Sequence, residues 1–89
     1  MIRKSLEDLI KEHEGEELLL ADGFDNAIMG ISCGMNPVVV YSYNKCIEIL
    51  MERDEMEEED AIEYMEFNVV GAYVGEKTPI FFHDYEGEY

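Results

Sequence analysis

The sequence predicts a single α+β domain over residues 1–89. Its small, mainly antiparallel sheet of three to four strands has helices packed on one face, in the order α-β-β-β-α-α-β. Three observations predict it. Val38-Val39-Val40-Tyr41 is β-branched as far as its tyrosine. Apolar residues recur at spacings of three and four before Gly15 and again after Ser42. Clusters of turn-forming residues separate these segments, and no linker, repeat or low-complexity run divides the chain.

Taken in order, Ile2, Leu6, Leu9, Ile10 and His13 share one helical face, and Gly15 ends the pattern, giving an N-terminal helix over residues 1–15. Arg3 and Lys4 stand at its start, the end that the helix dipole makes unfavourable for bases. Glu17–Ala21 (ELLLA) is a short apolar run that suits a strand, and Asp22-Gly23-Phe24-Asp25-Asn26 is a turn. Ala27–Ser32 reads as a second strand in which Gly30 marks a bulge. The five residues Cys33–Pro37 suit a hairpin connection into Val38–Tyr41, whose unbroken apolar pattern indicates burial on both faces and a central position.

Ser42 is the N-cap of a helix from Tyr43 to about Arg53, with Cys46, Ile47, Leu50 and Met51 on its apolar side. A third helix spans about Glu57 to Val70, and its buried stripe is Ala61, Ile62, Met65 and Val69. The junction has neither Gly nor Pro, so the two helices nearly run together around Asp54–Met56. Gly71 and Gly75 break the pattern, Thr78–Phe82 forms the last strand with Pro79 at its start or on an edge, and the tail His83–Tyr89 frays.

An apolar share of 47% supplies a real core, but charge is the outlier: 22 acids against six bases give a net charge of −16 at pH 7. That exceeds the ~2–8 units that serve solubility in a small domain. Such a surface repels bare nucleic acid and anionic membranes and attracts basic proteins. No apolar run approaches the ~20 residues that cross a bilayer, and the start MIRKSLEDLI lacks the apolar stretch of a signal peptide. Cys33 and Cys46 form no CxxC pair; the sequence leaves a disulfide between them open, but free thiols are the favoured reading and suit a cytoplasmic location.

The charge concentrates between residues 52 and 66. Glu52, Asp54, Glu55, Glu57, Glu58, Glu59, Asp60, Glu63 and Glu66 stand there against one base, Arg53. One reading is a solvated face, favoured in part by the dipole at the start of the third helix. The other is a phosphate-like array. Drawn as one helix, fourteen rises of ~1.5 Å span ~21 Å, a length of duplex carrying about twelve phosphates. Like charges at Glu55/Glu59, Glu59/Glu63 and Glu63/Glu66 cost ~0.2–0.5 kcal/mol each. A binding face accounts for keeping them, and Glu14, Glu16 and Glu17 could extend it.

Other constellations carry less. Asp22, Asp25 and Asn26 lack the EF-hand pattern, His13 and His83 have no nucleophile to activate, and no phosphate-binding loop precedes Lys77-Thr78. No catalytic residue, metal or cofactor is expected.

Val38, Tyr43-Asn44-Lys45-Cys46-Ile47-Glu48-Ile49-Leu50, Glu66-Phe67-Asn68-Val69-Val70-Gly71-Ala72-Tyr73 and Thr78-Pro79-Ile80-Phe81 together resemble a group of small acidic bacteriophage and prophage proteins. Asp22-Gly23-Phe24-Asp25 with Ala27-Ile28 is similar too, so the likeness covers about residues 21–82. The resemblance implies a phage or mobile-element origin and brings no catalytic residues with it. Small acidic phage proteins include anti-restriction and anti-CRISPR inhibitors that imitate DNA. The expectation is therefore a non-enzymatic protein, in the host cytoplasm, that binds a basic nucleic-acid-binding protein as a DNA mimic. The alternative is an assembly module, pairing with itself as a homodimer or with another phage protein, whose acids serve solubility alone.

Overall fold

The computed structural model describes Asp8, Lys11 and residues 18–85. Asp8 and Lys11 are helical and exposed; the rest of the expected N-terminal helix lies outside the described residues, as do Glu14, Glu16 and Glu17. The remainder is an α+β fold. A 3-10 turn (Asp25–Ala27) leads into β1 (Ile28–Ile31) and β2 (Val39–Ser42). Helix α1 (Tyr43–Arg53), helix α2 (Glu58–Tyr64), a π-helical turn (Met65–Val70) and β3 (Ile80–Phe82) follow. No helix among the described residues is long and apolar enough to cross a membrane.

The sheet is three-stranded and mixed, in the order β1-β2-β3, which corrects the expected four-strand order and its antiparallel character. β1 and β2 form the antiparallel hairpin, closed by Ser32 N–H to Val38 C=O at 2.8 Å and Val38 N–H to Ser32 Oγ at 3.0 Å. The register slips between Ile28 and Gly30, and Gly30 adopts a φ of 157°, so the bulge sits where the glycine indicated. β3 pairs parallel to β2, with Tyr41 opposite Phe81. A parallel return needs a long crossover. Here α1, α2 and the π turn supply it, and the chain after Gly71 then comes back beside the entry to β2. Asn36 Nδ2 donates to Glu76 C=O at 2.7 Å and Lys77 Nζ to Pro37 C=O at 3.4 Å, which holds the chain at that end.

The expected first strand is also corrected over its described part. Leu18–Ala21 has no strand structure (Glu17 lies outside the described residues); at its end Ala21 N–H donates to the Tyr41 hydroxyl at 2.7 Å. Asp22 and Gly23 do form a turn, with Gly23 at a φ of 88°. A Cβ there would stand 2.7 Å from Arg53 Nη1, the end of a flexible side chain that can move aside, so it is the backbone conformation that favours glycine.

The core lies between the helices and β2: Phe24, Ala27, Val39, Tyr41, Tyr43, Cys46, Leu50, Ala61 and Met65 are buried together. Val39, Tyr41 and Ser42 are buried and Val40 partly so, as a central strand requires. Tyr41 stacks on Phe81 with ring centroids 5.0 Å apart. Ser42 caps α1 by accepting Lys45 N–H at 3.2 Å, and its hydroxyl donates to Asp84 at 2.7 Å. With His83 against the Tyr43 ring at 4.3 Å, the first residues of the tail are held to the start of α1.

Candidate functional site

The stretch from Glu52 to Glu66 folds as two helices, so the straight ~21 Å array drawn from one helix does not form. α1 ends at Arg53, and Glu55 takes a φ of 54°, a left-handed conformation that turns the chain out of the helix. Asp54 N–H and Met56 N–H both return to the Leu50 carbonyl, at 3.1 and 3.4 Å. α2 then begins at Glu58, with Glu58, Glu59 and Asp60 in its first turn, where the dipole favours carboxylates.

Within the helical run from Glu58, Ala61 and Met65 are buried and Val69 partly so. Met65 N–H is shared between the Ala61 and Ile62 carbonyls, and past Tyr64 the run widens into the π turn, which keeps Val69 on the side of Met65. That stripe leaves Ile62 exposed, which corrects its expected place in the core. On α1, Cys46 and Leu50 are fully buried, whereas Met51 is exposed.

All nine carboxylates of the stretch are exposed. They do not line one ridge. Glu52 borders a hollow with Gly23, Asp25 and Asn26. Asp54 pairs with Arg53, whose fork donates from Nε and Nη2 at 3.1 Å each. That bonding holds the Asp54 carboxyl below the usual range. Arg53 Nη1 also donates to Gly23 C=O at 2.7 Å, and its guanidinium lies 5.6 Å from the Phe24 ring centre. The lone base among these acids thus fastens the Asp22–Asn26 turn to the end of α1.

Glu58 faces the hollow between the two helices together with Glu48, an acid that the sequence reading did not assign to the site. Glu57 and Glu59 border a shallow depression beside it. Asp60 and Glu63 line a different hollow, with Tyr64, Phe67 and Asn68. Glu66 reaches α1 and accepts the Tyr43 hydroxyl at 3.1 Å. Burial, then that bond to a carboxylate, raises the Tyr43 pKa. The carboxylates therefore wrap the helix pair along a bent path, and among the described residues only Asp54 of the nine stands in an ion pair.

A second feature was not foreseen. An open groove of about 270 Å³ runs beside the π turn, with Leu19, Leu20, Val69, Ala72, Val74 and Pro79 in its lining. Its signal in the sequence is weak: Ala72-Tyr73-Val74 and Leu18-Leu19-Leu20 are apolar runs with neither helical nor strand periodicity. No group of three or more His, Cys, Asp or Glu among the described residues is arranged to hold a metal.

These features define a class of protein: a small α+β domain whose paired helices expose many carboxylates, most of them outside any ion pair among the described residues, with a separate, largely apolar groove beside the π turn. No family model, curated protein or solved structure matches this chain.

Proposed function

We propose that this is a non-enzymatic acidic protein that binds a basic, nucleic-acid-binding protein of a bacterial host, acting as a DNA-mimic inhibitor of a defence system of the anti-restriction or anti-CRISPR kind. The observation that carries the reading is the exposure of nine carboxylates in fifteen residues, 52–66, with one of them neutralised by a cation among the described residues. Like charges so close on a helix pair oppose folding, and a basic groove that docks on them would relieve the repulsion. The resemblance to acidic phage proteins gives the same direction. The bent path of the acids suits a curved or bipartite basic surface better than a straight channel.

The experiment is capture from bacterial lysate by the wild-type chain and by the triple variant Glu58→Lys, Glu59→Lys, Glu63→Lys. The reading predicts that a nucleic-acid-binding protein is retained by the wild type at low salt, released at high salt, and lost by a triple variant that still folds. Retention indifferent to both salt and charge reversal would remove the idea.

A second reading has its own observation. Phe67 and Tyr73 are each 78% exposed and Val74 is 58% exposed, so apolar surface is available for self-assembly. A concentration-dependent dimer in sedimentation, unaffected by salt, would favour it.

A further inference from the structure

The groove beside the π turn and the acids around it form a continuous surface. Phe81, which stacks on the buried Tyr41, lies among the groove's lining residues, and Tyr64 and Asn68 belong both to the groove and to the neighbouring hollow that carries Asp60 and Glu63. Among the described residues, Asp22 is the one charged residue in the groove's own lining. The volume of about 270 Å³ falls just below the range of small-molecule sites, ~300–1,000 Å³. It suits a short apolar anchor. A second copy of the chain is a poor occupant, since each brings a net charge of −16.

We infer that the groove is the anchor site for the basic partner. It receives one or two apolar side chains of an extended or helical partner segment whose neighbouring lysines or arginines meet Asp22 at the groove and Asp60 and Glu63 beyond Tyr64. This rests on the acidic-binder reading above and adds to it the partner's chemistry: apolar residues set among bases, rather than bases alone. Carboxylates supply rate and orientation, while the buried anchor supplies selectivity.

The test uses the full chain and fluorescence anisotropy with three labelled twelve-residue peptides at low salt. The first has a central Leu-Phe pair between runs of lysine; the second replaces the pair by Ser-Ser; the third keeps Leu-Phe and replaces lysine by glutamine. The inference predicts that the first binds at least about tenfold tighter than either of the others. Ala72→Trp, which fills the groove, should abolish the preference for Leu-Phe over Ser-Ser while leaving binding of the Ser-Ser peptide unchanged. Val74→Ser gives a second variant, expected to weaken the preference in the same direction, and circular dichroism confirms that each folds.

Equal binding of the two lysine peptides would overturn the groove but leave the acidic reading standing. Absence of binding by either lysine peptide would remove both. A preference that survives both variants places the anchor elsewhere and overturns the inference. So would cross-relaxation in the free chain between methyl groups of Leu6 or Leu9 and those of Val69 or Val74, or a doubled mass in sedimentation. The occupant would then be the chain itself.

Discussion

Tyr41→Phe isolates one bond on which the groove depends. The Tyr41 side chain is fully buried and stacks on Phe81, so the substitution keeps the ring and its packing and removes only the hydroxyl. What is lost is the 2.7 Å bond from Ala21 N–H, which fixes Leu18–Ala21 beside the sheet. A typical internal hydrogen bond contributes ~0.5–1.5 kcal/mol net, and an orphaned donor that stays dry costs ~1–3 kcal/mol. Ala21 is half-buried, so water can reach the freed N–H and the lower end applies. The expected loss is ~1–1.5 kcal/mol. For a domain of this size it corresponds to a fall in Tm of about 4–12 °C. Urea unfolding followed by circular dichroism measures the loss, and amide exchange at Ala21 locates it. The prediction is a lower midpoint at unchanged slope, with faster exchange at Ala21. An unchanged midpoint with Ala21 still protected would refute the role given to the hydroxyl. A loss of ~3 kcal/mol or more, the range of a core truncation, would refute the assumption that ring packing is preserved.

Three further outcomes follow from charge and burial. Raising NaCl from about 50 to about 500 mM should raise Tm, because screening relieves self-repulsion of the net −16 charge; a fall would contradict the electrostatic account. Cys33 is an exposed free thiol, whereas burial pushes the Cys46 thiol up to about 11. At pH 8 Cys46 is therefore about 0.1% thiolate, and Ellman's reagent should label Cys33 in the native chain but both cysteines in guanidinium; equal native rates would contradict the burial. Burial also raises the Tyr41 and Tyr43 pKa values above 10, so folding favours their neutral forms. That contribution is complete below the ordinary value of ~10 and is lost as pH rises through the higher folded values, so the urea midpoint should drop above about pH 10; a flat profile to pH 11 would count against it.

Local rules made much of the fold legible. The cap at Ser42, the bulge at Gly30, the turn at Gly23 and the central place of Val39–Tyr41 each depend on a few neighbouring residues. What the sequence hid depends on contacts across long separations. Leu18–Ala21 is tied beside the sheet by a hydroxyl twenty residues away, and an apolar run by itself states burial without a partner. The parallel direction of β3 is fixed where Asn36 and Pro37 meet Glu76 and Lys77, forty residues on. The site divides the same way. The identity and exposure of the nine acids were readable from spacing, but their path was not, because Glu55 adopts a conformation that usually belongs to glycine. Ile62 satisfies helical spacing and still faces out, since the widened turn after Tyr64 keeps Ala61, Met65 and Val69 in line.

Mimicry of DNA by the 52–66 acids is decided by titrating the captured partner with the full chain at several salt concentrations, in the presence and absence of duplex DNA. The account predicts that affinity falls steeply with salt, that DNA and the chain displace one another, and that Glu58→Lys, Glu59→Lys, Glu63→Lys flattens the salt dependence. Affinity that is level across salt, with DNA and chain bound together to the same partner, would contradict it.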